Sequence, residues 1–116
     1  MAYTATKEEE AKELARRYKD LLKGTYQELS NKDKASIRKA FELSVESHKP
    51  QRRKTGEPYI YHPIAVAKIV ADEIGLGTIS ITAALLHDVV EDTDYTIEDI
   101  EQLFGETVAR IVNGLT

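Results

Sequence analysis

Apolar residues recur every three or four positions along most of the chain, which is the period of an amphipathic helix. The spacing predicts four longer helices and two short ones, at 7–23, 32–48, 63–74, 79–91, 96–103 and 106–112. Glycines at 24, 75, 77 and 105 separate several of these segments, and residues 49–61 are predicted to be a loop. Ser30 or Asn31 and Thr96 with Asp99 are candidate helix caps, and Thr78 or Ser80 is expected to open the fourth helix. No stretch alternates as a strand does, so the sequence predicts an all-α bundle.

The helix predicted at 79–91 is apolar on nearly every side until His87, which places it in the middle of the bundle. His87 and Asp88 therefore stand side by side in an apolar segment, and Glu91 and Asp92 follow one turn later. Burying such groups without partners costs several kcal/mol. We therefore expect this cluster to be satisfied by neighbouring groups or by a metal ion.

A metal site would need one more ligand, and His62 is the candidate because it lies at a junction between loop and helix. Two imidazoles and a carboxylate suit Mn²⁺, Fe²⁺ or Zn²⁺. Three protein ligands leave positions open for water and substrate, which is typical of catalytic sites. Taken alone, His87 is more simply explained as a buried histidine with a hydrogen-bond partner; beside Asp88, Glu91 and Asp92 the metal interpretation is favoured.

Glu91 and Asp92 follow His87 and Asp88 by four positions each, so each pair shares a helix face. The two acids could orient an attacking water molecule or act as general acid and base. The alternative is that they form a solvated helix end. His48, at the end of another predicted helix, is expected to be structural, because a helix C-terminus favours a protonated histidine.

Residues 51–59, here called the basic loop, concentrate positive charge just before His62. Arginine and lysine bind phosphates, and arginine also stacks on planar bases. Gly56 permits a tight backbone turn, and Tyr59 offers an aromatic face. A charged run is usually a solvated surface, but beside a metal and an acid pair it favours a phosphorylated substrate such as a nucleotide.

The overall composition limits the number of domains, the partners and the cellular compartment that we expect. A length of 116 residues fits one domain, and a net charge of −4 argues against direct binding of nucleic acid by the whole surface. The absence of cysteine excludes disulfides and thiolate ligands. The sequence has no signal peptide and no apolar run long enough to cross a membrane, so we expect a cytoplasmic protein that does not interact with membranes.

Two ordered motifs resemble a known family, the RelA/SpoT alarmone enzymes, in their hydrolase domain. They are residues 53–63 (Arg-Lys-Thr-Gly-Glu-Pro-Tyr-Ile-Tyr-His-Pro) and 86–93 (Leu-His-Asp-Val-Val-Glu-Asp-Thr). The resemblance extends from residue 36 to 116 and includes 112–116, where Asn113 replaces a more familiar acidic residue. It divides the chain into a helical lead-in, 1–30, and the N-terminal part of an HD hydrolase domain, 31–116.

This resemblance implies an all-α fold of the HD phosphohydrolase type, incomplete at its C-terminus. It implies removal of the 3′-pyrophosphate of guanosine tetra- or pentaphosphate, with Mn²⁺ or another divalent ion as cofactor. By position, it implies these roles: metal ligands His62, His87 and Asp88; catalytic acids Glu91 and Asp92; guanine-flanking Arg53 and Lys54, supported by the loop near Tyr59.

The resemblance also implies parts that this sequence does not contain. In the family a further Asp ligand, nucleotide-contacting residues, and the synthetase and regulatory domains lie beyond the segment matched here. We therefore expect weak metal binding, uncertain turnover by this segment alone, and exposed apolar surface that could drive self-association. Two alternatives stay open: an HD phosphohydrolase acting on another nucleotide, and a non-catalytic module that senses a guanine nucleotide through Arg53 and Lys54.

Overall fold

In a computed structural model of the protein, which describes residues 3–23, 29–74 and 77–115, helices account for most of the chain. The third helix continues into a short π-helical turn, Val70–Ile74. In the described ranges the structure has an isolated bridge between Arg52 and Pro58 and no strand, so the all-α prediction is confirmed. The helices are α1 (Lys7–Lys23), α2 (Asn31–His48), α3 (Tyr61–Ile69), α4 (Thr78–Asp92), α5 (Ile97–Phe104) and α6 (Glu106–Leu115).

Two helix starts follow the predicted cap chemistry. Ser30 accepts a hydrogen bond from the backbone N–H of Asp33 at 3.1 Å, and Asp33 accepts one in return, forming a capping box. Thr96 and Asp99 form the same reciprocal arrangement at the start of α5, also at 3.1 Å. These bonds satisfy N–H groups that have no partner within the helix, which fixes where α2 and α5 begin.

Other boundaries differ from prediction by a few residues. Helix α3 begins at Tyr61 rather than Pro63, since proline is tolerated anywhere in a first turn, where N–H groups lack intrahelical partners. Helix α4 begins at Thr78 with Gly77 at its N-cap, so neither Thr78 nor Ser80 caps it. Helix α6 runs to Leu115 instead of ending at 112. The proposed stops at positions 24 and 75 lie outside the described residues.

Helix α4 is the centre of the bundle, as its apolar composition predicts. It packs against α2, α3 and α6. Its residues Ile81, Leu85, Leu86 and Val89 are all almost fully buried. Burial fixes the rotation of the helix, because these side chains must face its neighbours, and so fixes the direction in which Asp88 projects.

Within the described part of the chain, no helix is both long enough and apolar enough to cross a membrane.

Candidate metal centre and basic loop

Three side chains that the sequence predicts as metal ligands meet at one point. His62 comes from the first turn of α3, and His87 and Asp88 come from α4. One ligand atom from each lies within 4.8 Å of the others. Nε2 of His87 is 3.2 Å from Oδ1 of Asp88, and Nε2 of His62 is 3.8 Å from Oδ2. The packing of α3 on α4 thus brings together residues 25 positions apart.

The cluster is buried on one side and open on the other. The Asp88 and His87 side chains are 9% and 17% exposed, whereas that of His62 is 38% exposed. A bound ion would therefore face protein through Asp88 and solvent beside His62. This leaves room for water and a substrate, the arrangement that catalytic metal sites use.

The hydrogen bonding of His87 prepares Nε2 to act as a ligand. Nδ1 lies 2.6 Å from the carbonyl oxygen of Ala84, which can only accept, so Nδ1 carries the proton. In the neutral imidazole Nε2 then presents a lone pair toward the Asp88 carboxylate. A contact of 3.2 Å between two such electron-rich atoms is favourable when both bind the same cation. A backbone acceptor behind a histidine is also the usual support for a metal ligand. The donor set therefore fits a divalent cation.

Tyr59 of the basic loop orients Asp88, the third candidate ligand. Its hydroxyl donates to Oδ2 of Asp88 at 2.9 Å, and its ring packs between those of His48 and His62 at 5.0 and 5.8 Å. Burial, followed by the hydrogen bond and charge of Asp88, raises the pKa of Tyr59 far above its ordinary value. The resemblance implies that Tyr59 supports the substrate side; in the structure its hydroxyl is bonded to Asp88 of the candidate metal cluster.

Replacing Tyr59 with phenylalanine is expected to weaken Mn²⁺ binding about tenfold, because partners of a metal ligand typically contribute 10- to 100-fold in affinity. Isothermal titration of the metal into the protein measures this. Tyr61→Phe is the matched control, since the Tyr61 hydroxyl lies 3.5 Å from the backbone oxygen of Glu10 and away from Asp88. Equal affinities for the two variants would show that Tyr59 does not orient the carboxylate.

His48 has the structural position that the sequence predicts. It is 1% exposed at the end of α2, and its Nδ1 is hydrogen-bonded to the side-chain oxygen of Gln51. Its contact with the Tyr59 ring is a consequence of the fold that the sequence does not reveal. His48 therefore supports the start and the end of the basic loop at once.

The basic loop is a compact, hydrogen-bonded turn. The backbone N–H of Arg53 donates to Glu57 at 2.9 Å, that of Gly56 donates to Arg53 at 2.8 Å, and that of Tyr59 donates to Gln51 at 3.1 Å. Gly56 has a φ of 98°, which residues with a side chain rarely adopt. Gly56 therefore gives the loop the tight backbone turn that the sequence predicts it permits.

Arg53 and Lys54 project from the tip of this loop. Both are exposed, and they line a groove of about 430 Å³ together with Arg52, Thr55 and Tyr59. Arg53 makes a loose ion pair with Glu57, 3.9 Å apart. Because Tyr59 lines this groove and also binds Asp88, the groove and the metal cluster share one side chain.

Glu91 and Asp92 occupy the last turn of α4 and are both exposed. Among the described residues, the cluster that could hold a metal contains neither of them. Asp92 is close enough to Tyr59 for its charge to help raise the pKa of that hydroxyl. The two acids therefore lie at the solvent side of the site, one turn beyond His87 and Asp88.

An all-helical bundle whose central helix carries a His-Asp pair, with a second histidine supplied by α3, is typical of one class of metal-binding domain. A family model described as "HD domain" matches residues 40–116, and the chain belongs to that family. The prediction of an HD-type fold is thereby confirmed.

Curated relatives and a solved structure indicate a narrower group of proteins within this family. The chain is 54% identical over 80 residues to the guanosine-3′,5′-bis(diphosphate) 3′-pyrophosphohydrolase of Aquifex aeolicus. It is 50% identical over 80 residues to the bifunctional (p)ppGpp synthase/hydrolase SpoT of Escherichia coli. Each match covers 69% of this chain and 11% of the relative, so the chain spans about a tenth of the length of these proteins.

The solved structure is that of a metazoan ortholog of SpoT described as hydrolysing ppGpp. It superposes with a TM-score of 0.68 at 35% identity, covering 78% of this chain and 50% of that one. The resemblance to RelA/SpoT hydrolase domains that the motifs predict is therefore supported in both sequence and fold.

Proposed function

We propose that this chain forms the metal-binding and guanine-binding part of an enzyme that removes the 3′-pyrophosphate of guanosine tetra- or pentaphosphate. The products are GDP or GTP and pyrophosphate, and the cofactor is Mn²⁺. The observation that carries the proposal is the His62, His87 and Asp88 cluster beside a basic groove, joined through Tyr59. The names of the curated relatives support the choice of substrate.

The chain's residues divide the work. His62, His87 and Asp88 hold the cation, which when bound lowers the pKa of a water molecule and stabilises negative charge on phosphate oxygens. Ala84 and Tyr59 orient His87 and Asp88. Their role is to keep the ligands in one geometry as substrate enters from the His62 side.

Glu91 and Asp92 move protons and orient the water. Their position one turn beyond the ligands puts two carboxylates on the exposed side of the cluster, where the substrate must approach. Arg53 and Lys54 flank the guanine base, since a guanidinium stacks on a planar ring and both cations attract phosphates.

In this proposal the enzyme has further parts outside the 116 residues of this chain. We propose that a fourth, aspartate ligand and the rest of the nucleotide pocket come from additional helices, as the RelA/SpoT resemblance implies, and that the protein works in the cytoplasm. The division into a lead-in, 1–30, and a hydrolase part, 31–116, stays a prediction. So does self-association; Ile69, Ile79 and Leu103 are exposed apolar residues that could take part.

A graft tests the proposal without depending on this segment alone. The matching segment of the Escherichia coli relative is replaced by residues 36–116 of this chain, and release of pyrophosphate from guanosine tetraphosphate is followed with Mn²⁺ present. We expect hydrolysis, and we expect His87→Ala in the graft to abolish it. Far-UV circular dichroism and cooperative thermal unfolding report whether the graft folds.

Three results would redirect the proposal. Hydrolysis that survives His87→Ala would place the chemistry elsewhere. Nucleotide binding that depends on Arg53 and Lys54, without turnover, in a graft that is folded would favour the sensing module. Faster hydrolysis of GTP or of a simple phosphomonoester than of the alarmone would favour a different HD phosphohydrolase.

A further inference from the structure

An ion pair joins the N-terminal helix to the basic loop. Both terminal nitrogens of the Arg52 guanidinium donate to the two carboxylate oxygens of Glu10, with Nη2 and Oε1 3.1 Å apart. The hydroxyl of Tyr3 donates to the same carboxylate at 2.8 Å. Two-point pairing of this kind fixes orientation as well as distance. Tyr3, Glu10 and Arg52 are called the N-terminal cluster below.

The N-terminal cluster reaches the turn of the basic loop directly. Nη1 of Arg52 also donates to the backbone oxygen of Gly56 at 3.3 Å. The Tyr3 side chain covers Gly56 so closely that a methyl group added there would lie 3.3 Å from the Tyr3 Cβ. The Glu10 side chain is 12% exposed, far less than most surface carboxylates, because Tyr3 and Arg52 cover it.

This arrangement distinguishes one cation of the loop, which is paired within the protein, from the other two. Arg52 is committed to Glu10, and the hydrogen bonds from Arg52 hold the pKa of that carboxyl below its ordinary value. Arg53 has only the loose contact with Glu57, and among the described residues Lys54 has no ion pair. Arg53 and Lys54 are therefore the cations available to a ligand in the groove.

We infer that Glu10 is a positioning residue for nucleotide binding: through Arg52 it holds the basic loop in the shape that presents Arg53 and Lys54. The inference rests on the proposed function for the identity of the ligand. Glu10 lies before the residues matched by the family model, so the role extends the site into a helix that the sequence treats only as a lead-in.

The test compares Glu10→Gln with Glu8→Gln in the whole 116-residue chain. Glu8 is exposed in the same first turn of α1 and has no ion pair among the described residues, so the control makes the same charge change. Amide hydrogen exchange at Arg53, Gly56 and Tyr59 is expected to rise about fivefold in Glu10→Gln alone, the upper range for an exposed ion pair. Equal exchange in the two variants would overturn the inference.

Affinity for guanosine tetraphosphate is a second readout, and the direction in which it changes distinguishes the two explanations. Removing a negative charge reduces the long-range repulsion of an anion, which by itself should strengthen binding in both variants. Positioning predicts instead that Glu10→Gln binds about fivefold more weakly than Glu8→Gln, with Mn²⁺ affinity unchanged. Tighter or equal binding by Glu10→Gln would overturn the inference.

A double-mutant cycle separates the pair from a general loss of structure. If Glu10 acts through Arg52, Glu10→Gln should add nothing to the exchange rates of Arg52→Gln. Additive effects would contradict action through Arg52. If the wild-type chain alone does not bind the nucleotide, the graft described above decides the proposed function, and this cycle decides whether the N-terminal cluster holds the loop.

Discussion

Asp88→Asn should abolish Mn²⁺ binding by this protein. Asparagine keeps the size of the side chain and an oxygen that can accept from Tyr59, but it removes the charge that offsets the cation. Substitutions of residues that merely support a ligand already cost about 10- to 100-fold in affinity, so loss of the ligand itself should exceed about 100-fold. Isothermal titration at neutral pH measures the change.

Asp94→Asn is the control for this prediction. Asp94 is exposed just beyond the end of α4 and undergoes the same change of charge. It should bind Mn²⁺ as the wild type does. A wild-type affinity in Asp88→Asn, with the helical circular dichroism unchanged, would remove Asp88 from the site.

Changing Glu91 to Gln and Asp92 to Asn together should slow pyrophosphate release in the grafted enzyme by about 10²- to 10⁴-fold, the range typical of general acid–base catalysis. Neither residue belongs to the donor cluster among the described residues, so Mn²⁺ affinity should be retained. The comparison of turnover with metal affinity distinguishes proton transfer from metal binding.

Glu98→Gln in the first turn of α5 is a suitable single-charge control, being exposed and outside the site. Its rate should equal that of the parent graft. If the Glu91/Asp92 variant loses metal affinity in parallel with rate, the two acids are ligands rather than proton carriers. If its rate is unchanged, they form only a solvated helix end.

The helical architecture could be predicted because it is encoded locally. Ser30 with Asp33 and Thr96 with Asp99 cap their helices through bonds spanning three residues, and the apolar run before His87 predicts a buried central helix. Boundaries that depend on tertiary packing could not be predicted as well from local sequence. The turn at Val70–Ile74 widens into a π-helix, which no local pattern indicated.

In the candidate site, too, some residues could be identified from local sequence and others only from the folded structure. His87 and Asp88 stand out because ionisable groups in an apolar helix need partners, and His62 follows as the remaining plausible donor. The role of Tyr59 could not be predicted, because its bond to Asp88 spans 29 residues and depends on how the loop folds over α4. The pairing of Glu10 with Arg52, 42 residues apart, is hidden for the same reason, since charged residues are common in both segments.

The central claim is that His62, His87 and Asp88 together hold a divalent cation. Anomalous diffraction from crystals grown with Mn²⁺ tests it most directly. The account predicts a manganese peak bonded to Nε2 of both histidines and to the Asp88 carboxylate, with Nδ1 of His87 still bonded to Ala84. A structure in which Mn²⁺ binds elsewhere, while a protonated His87 pairs with Asp88, would contradict it.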